Sequence, residues 1–122
     1  MNKKVLIVDD DPRNIFALKI TLKARNYQTE SSTSAQEAIL MIENDPQIGI
    51  VLMDMMMPEM DGYEALKIIR NMPSGNSKIP VIAVTAQAMQ GDREKCLEAG
   101  ADDYISKPIN VDQLLTAIEK LS

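Results

Sequence analysis

The chain has 122 residues, the length of one compact domain, and its 45% hydrophobic and 25% charged residues give the composition of a folded sequence, not a disordered one. Thirteen basic against eighteen acidic residues leave a net charge of −5, with no basic stripe to meet a nucleic-acid backbone or an anionic membrane surface. With no histidine and a single cysteine, Cys96, there is no imidazole base, no internal disulfide and no thiolate–imidazole couple, so oxygen chemistry remains.

Short apolar runs alternate with stretches of helical period, the pattern of a parallel sheet covered by helices on both faces. The first strand is read over Lys4–Val8. Asp11 followed by Pro12 then marks a helix start, with Ile15, Leu18 and Leu22 on one face and Asn26 as the stop. A polar run at 28–31 reads as an edge strand. Ser34 caps the next helix, whose inward face is Ala35, Ala38, Ile39 and Ile42, and which ends before Asp45-Pro46.

The third strand, 50–53, is continuously apolar, as a strand buried on both faces must be. A methionine cluster (Met53, Met55, Met56, Met57 and Met60) reads as core filling, and Asp61-Gly62 as a turn. The third helix begins near Gly62 with Tyr63, Leu66 and Ile69 inward, and a polar loop over 71–78 follows. The fourth strand is 81–84. The fourth helix, 91–99, offers little beyond Cys96, Leu97 and Ala99 to bury, so packing holds it weakly and it is the candidate moving part. The fifth strand is Asp103–Ser106, and the last helix carries Val111, Leu114, Leu115, Ile118 and Leu121 in amphipathic spacing.

Polar residues sit at the carboxyl ends of these strands: Asp9 and Asp10 after the first, Asp54 after the third, Thr85 after the fourth and Lys107 after the fifth. In open α/β sheets ligands bind at those ends, where strand order reverses. Three carboxylates gathered there repel one another and call for a cation, and an all-oxygen donor set selects a hard ion, Mg²⁺. The reaction that suits this set is phosphoryl transfer to Asp54, with Lys107 neutralising phosphoryl oxygens and the Thr85 hydroxyl donating to another. Asp11 is read as a helix cap, and Tyr104 either as half-buried packing or as part of a switch.

Four segments resemble the receiver domains of two-component response regulators: Val5-Leu-Ile-Val-Asp9-Asp10-Asp11-Pro12, Val51-Leu-Met-Asp54-Met-Met-Met-Pro58-Glu-Met-Asp-Gly62, Val81-Ile-Ala-Val-Thr85-Ala86 and Gly100-Ala-Asp-Asp-Tyr104-Ile-Ser-Lys107-Pro108. Residues 85–100 look most like receivers of hybrid sensor kinases. The resemblance spans the chain and implies one receiver domain over 1–122, with a flavodoxin-like doubly wound (βα)5 fold and a parallel five-stranded sheet of order 2-1-3-4-5.

Carried over position by position, it implies phosphorylation of Asp54 and Mg²⁺ bound directly by Asp10, largely through water by Asp9, and by Asp54 and the Met56 carbonyl. It implies phosphoryl holding by Thr85 and Lys107, a cis Lys107–Pro108 bond, and Tyr104 as the aromatic switch partner of Thr85. The implied output is the face made by the fourth helix, fifth strand and fifth helix, recognised by a downstream protein.

Met56 and Gln87 fall where relatives tune the lifetime of the aspartyl phosphate. Neither acts as a base toward water, so slow to moderate self-dephosphorylation is expected. The donor is a phosphohistidine on a histidine kinase or histidine phosphotransfer protein, because no histidine is present here.

Two other classes compete. Dehalogenase-like phosphatases also use Asp, Mg²⁺, Ser/Thr and Lys, but place the nucleophile after the first strand with a second Asp two residues on; here Met56 stands two after Asp54, and no cap domain is present. A flavodoxin-like nucleotide module needs a Ser/Thr/Gly-rich phosphate loop after the first strand, where this chain has Asp9-Asp10-Asp11. No targeting segment or membrane-length apolar stretch is read, so a cytoplasmic, reducing location is expected. The sequence is compatible with a free-standing regulator or with a receiver inside a longer protein.

Overall fold

Alternate residues of the central strands feed two separate apolar clusters, and this two-sided burial sets the architecture. In the computed structural model, which describes residues 3–73, 75–86 and 91–121, Leu6, Val8, Val51, Met53, Val81 and Ala83 face one cluster. Val5, Ile7, Ile50, Leu52, Ile82 and Ile105 face the other. The period-2 alternation of a strand therefore appears as two apolar faces, each needing a helical cover.

The elements run β1 (Lys4–Val8), α1 (Pro12–Lys23), β2 (Thr29–Ser32), α2 (Ala35–Asn44), β3 (Ile48–Asp54), α3 (Gly62–Arg70), β4 (Val81–Thr85), α4 (Asp92–Glu98), β5 (Asp103–Ser106) and α5 (Val111–Leu121), with a 3₁₀ turn at Gly75–Lys78. The sheet has the order β2-β1-β3-β4-β5, and every pairing is parallel. This is the flavodoxin-type (βα)5 arrangement. Residues of α1 and α5 fill one cluster, while those of α2, α3 and α4 fill the other. The chain leaves β1 toward β2 and then returns to the opposite side of β1 for β3, so the crevice opens at the carboxyl ends of β1 and β3.

Local signals place most helix starts. The Asp11 carboxylate accepts from the Arg13 N–H with Pro12 at the first helical position, Ser34 accepts from the Glu37 N–H, and Asp61 accepts from the Glu64 N–H. Asp61 is thus a helix cap as well as a turn residue. The glycine after it has a steric reason: a Cβ at Gly62 would meet Met55 Sδ and lie 2.7 Å from Met55 Cα and 3.0 Å from the Asp54 carbonyl oxygen.

Differences from the sequence expectation are small and have physical causes. The edge strand lies one residue later, at Thr29–Ser32, and β3 extends in both directions to Ile48–Asp54. Leu97 and Val111, expected inward, are exposed at the margins of α4 and α5, and Cys96 is the one buried side chain of α4. Tyr63 is half-buried, while Ala65 takes the inward position beside Leu66 and Ile69. Of the methionines, Met53, Met55 and Met57 are core, Met60 is half-buried and Met56 is exposed.

At the amino end of the sheet the Arg70 guanidinium ties four segments together. Nε and Nη2 donate to the Gly100 carbonyl at 3.0 and 2.8 Å, Nη1 to the Ser77 and Ile79 carbonyls at 2.8 and 2.7 Å, and Nη2 to Asp102 Oδ2 at 3.0 Å. Asp102 Oδ2 also accepts from the Val81 N–H at 2.9 Å. A lysine cannot reproduce this fork. Arg70→Lys should therefore lower unfolding free energy by about 2 kcal/mol or more, read as a fall in the urea midpoint at constant slope; an unchanged midpoint would show that the fork contributes nothing net.

Candidate functional site

The residues at the strand ends converge as chain topology requires. Asp9 follows β1, Asp54 closes β3 and Thr85 closes β4, and all three are buried, at 4%, 4% and 2% exposure; Asp10 beside them is exposed. Asp54 pairs in register with Val84, the residue before Thr85. The Lys107 N–H donates to the Thr85 carbonyl at 2.8 Å, which fixes the start of the β5–α5 connection over β4. The Lys107–Pro108 peptide bond is cis.

From that position the Lys107 ammonium reaches back across the sheet. Nζ lies 3.3 Å from Asp54 Oδ2 and 3.4 Å from Asp9 Oδ2, bridging residues 53 and 98 positions away in sequence. The carboxylates are also held by donors of their own. Asp54 Oδ1 accepts from the Met56 N–H at 3.0 Å. Asp9 Oδ1 accepts from the Asp11 N–H at 2.9 Å, and its Oδ2 from Asn14 Nδ2 at 3.4 Å. Asn14 was not singled out from the sequence; its position one turn into the helix that follows Asp9 is the signal that points to it.

One carboxylate oxygen from each of Asp9, Asp10 and Asp54 lies within 4.8 Å of the others. Hard oxygen donors at this spacing fit a divalent cation, and the cluster can coordinate one. The electrostatics agree with a site that wants positive charge. Burial pushes the Asp54 carboxyl above its usual range, with the Asp9 charge adding to the shift; the Met56 N–H and the Lys107 ammonium work against it. Burial works against the Lys107 charge, but Asp54 and Asp9 together outweigh it and raise its pKa.

Tyr104 is half-buried against the cluster that contains Cys96, and its hydroxyl pKa is raised by burial and by Asp92 and Cys96. Gln87 lies outside the described residues. Beside the carboxylates a groove of about 510 Å³ runs between α1 and the β5–α5 connection, with Asp9 and Lys107 at one end and Ala17, Leu18, Pro108 and Ile109 along it. Among the described residues no helix is long and apolar enough to cross a membrane.

Comparison with known proteins places this arrangement. The response regulator receiver domain family matches residues 5–119, and the chain belongs to that family. The chain is 38% identical to the polar-differentiation response regulator DivK of Brucella ovis, over 98% of this chain and 95% of that protein. It is 39% identical to the signal transduction histidine-protein kinase BarA of Escherichia coli K12 over 90% of this chain, which spans only 12% of the kinase's length. The receiver domain of sensor histidine kinase PA1611 from Pseudomonas aeruginosa PAO1, solved with a magnesium ion coordinated in its active site cleft, superimposes with a TM-score of 0.86. It shares 33% identity, with 99% of this chain and 98% of that one covered. The domain thus carries the general phosphoryl-accepting function of receivers, with an acidic cluster able to hold a metal ion.

The raised Asp54 pKa has a consequence for stability. A carboxyl whose folded pKa lies above its unfolded value penalises folding at neutral pH, and the penalty fades as pH falls through the folded pKa, where the native group takes up its proton. In chelator-treated protein Asp54→Asn should therefore raise the urea midpoint at pH 7 and lose that advantage in acid. A variant less stable than wild type at pH 7 would mean that the Lys107 pairing outweighs the burial of the charge.

Proposed function

We propose that this domain is a phospho-receiver of a two-component phosphorelay, taking a phosphoryl group onto Asp54 in a Mg²⁺-dependent transfer from a phosphohistidine. The donor is a histidine kinase or histidine phosphotransfer protein. The observation that carries this reading is the buried Asp54 carboxylate, clustered with Asp9 and Asp10 and in direct reach of the Lys107 ammonium. The magnesium ion in the cleft of the Pseudomonas receiver supports the choice of metal.

Asp9, Asp10 and Asp54, with the Met56 carbonyl that the family resemblance adds, would hold Mg²⁺, which when bound supplies charge neutralisation for the phosphoryl oxygens. The remaining work belongs to side chains of the chain itself. The Met56 N–H and Lys107 fix the Asp54 carboxylate so that one oxygen can form the new P–O bond. The P–N bond breaks with its electron pair on the ring nitrogen, so a protonated phosphoimidazole leaves as neutral imidazole. Lys107 shifts its hydrogen bonding to the arriving phosphoryl oxygens, and the Thr85 hydroxyl donates to another; positioning and charge neutralisation supply most of what such a transfer requires.

The groove beside Asp9 and Lys107, lined on α1 by Asn14, Ala17 and Leu18, supports docking of the donor on that side. The movement of Thr85 and Tyr104 would pass the change to the face formed by α4, β5 and α5, where a downstream protein binds. That face carries a depression of about 520 Å³ that includes Arg93, Tyr104, Gln113 and Lys120.

Intact mass after incubation with acetyl phosphate and Mg²⁺ tests the reading. Gain of one phosphoryl group, absent in Asp54→Asn and in chelator and removed by hydroxylamine, is the expected result. An unmodified mass after exposure to both acetyl phosphate and a phosphorylated histidine kinase would overturn it.

Met56 and Gln87 are proposed to set the lifetime of the phosphoryl group. Met56 is exposed two residues after the acceptor, and its thioether cannot orient an attacking water. Met56→Asn should therefore hasten loss of the phosphoryl group several-fold. Equal decay in the two proteins would remove Met56 from this role.

A further inference from the structure

Of the five α-helices α4 buries the fewest side chains, Cys96 alone, whereas α3 and α5 each bury four residues. What holds Cys96 from the far side is Tyr63. Its hydroxyl pairs with Cys96 Sγ at 3.6 Å, and the Lys95 ammonium sits 4.6 Å from the centre of its ring. The other end of this contact reaches the acceptor. Tyr63 follows Gly62, whose N–H donates to the Met55 carbonyl at 3.3 Å and whose Cα is packed so closely on Met55 and the Asp54 carbonyl that no side chain fits there. A continuous contact path therefore runs from the backbone of Asp54 through Gly62 and Tyr63 to α4.

We propose that Tyr63 is a positioning residue that tethers α4 to the acceptor loop, so that a change at Asp54 reaches α4 through α3's first turn as well as along β4 and β5. The geometry suits this role. Tyr63 lies one residue from a backbone contact that has no slack, so a shift of the Asp54–Met55 backbone must move the first turn of α3. On α4, Lys95 and Cys96 are consecutive, and Tyr63 engages both. The hydroxyl–sulfur pair and the cation–π contact are individually modest, which suits a contact that has to yield.

Cys96 is the only thiol in the chain, so its alkylation reports the opening of α4 at one defined atom. A buried thiol reacts through local opening, and the rate measures how often that opening occurs. The 122-residue chain, Tyr63→Phe and Tyr63→Leu would be treated with iodoacetamide under native conditions, followed by intact mass, with urea unfolding run in parallel. Tyr63→Phe, which keeps the ring over Lys95 but loses the hydroxyl, should react about threefold faster than wild type. Tyr63→Leu should react about tenfold faster or more. Rates equal to wild type, or raised only as far as the loss of global stability accounts for, would overturn the tether.

A second arm rests on the phosphoacceptor reading of Asp54. Acetyl phosphate and Mg²⁺ should change the Cys96 labelling rate by a clearly smaller factor in Tyr63→Leu than in wild type, where the route along β4 and β5 is joined by the one through Tyr63, although both proteins gain the phosphoryl mass. The same change in both proteins would show that α4 is driven without Tyr63 and would overturn the coupling. Failure of wild type to gain the mass, with acetyl phosphate and with a phosphorylated kinase, would sink the phosphoacceptor reading alone, because the unphosphorylated labelling rates still decide the tether.

Discussion

Three carboxylates brought to one end of a sheet, with one ammonium to meet them, set the terms for the rest of this molecule. Asp9 and Asp54 are almost wholly buried because β1 and β3 are the two innermost strands on either side of the topological switch, and helices cover both faces. Charges in that position interact more strongly than at the surface and are poorly hydrated. Lys107 relieves part of the repulsion, and its own pKa rises in response. Asp54 nevertheless remains above the ordinary carboxylate range. The site is therefore poised to take up positive charge, and the apolar clusters on both faces supply the stability that lets it persist.

The two ends of the sheet are built for opposite purposes. At the amino end Arg70 satisfies three carbonyls, of Ser77, Ile79 and Gly100, and Lys4 pairs with Glu30 and Asp45 across β2 and the α2–β3 connection. These contacts fix the register from which the strands run. At the carboxyl end the connections carry the chemistry, and α4 is fastened by a single buried residue. A helix with so little buried surface opens or shifts at lower free energy than its neighbours. Rigidity at one end and a helix with one buried side chain at the other leave α4 freer to move than its neighbours when the carboxylate cluster changes.

The sequence made the alternation of short apolar runs with helical stretches, the caps at Asp11 and Ser34, and the polar strand ends visible, because each depends on residues adjacent in the chain or on the regular geometry of one element. Asp9, Asp54 and Lys107 were legible as a group for the same reason: every parallel strand points its carboxyl end the same way. Arg70 was not legible, because its partners lie 7 to 32 residues away and are mostly backbone carbonyls, which leave no mark on residue type. The role of Gly62 was hidden behind a turn signature that Asp-Gly satisfies without any packing constraint. Leu97 and Val111 were misplaced because periodicity gives the direction of a side chain but not whether a neighbour reaches far enough to cover it.

Such a site is portable between proteins of different architecture. The chain matches nearly the whole of a Brucella response regulator but only 12% of an Escherichia coli histidine kinase, and the same physical argument serves both settings. Asp9, Asp10, Asp54, Thr85 and Lys107 all come from one sheet and its connections, so no other domain has to complete the cluster. The groove beside Asp9 and Lys107 and the face that contains Tyr104 lie on separate parts of the surface, so a donor and a target need not compete for the same residues. Coupling between those surfaces has to cross the sheet or travel along its carboxyl edge. The edge is where the backbone of Asp54 presses on Gly62, and where Tyr63 meets the least anchored helix.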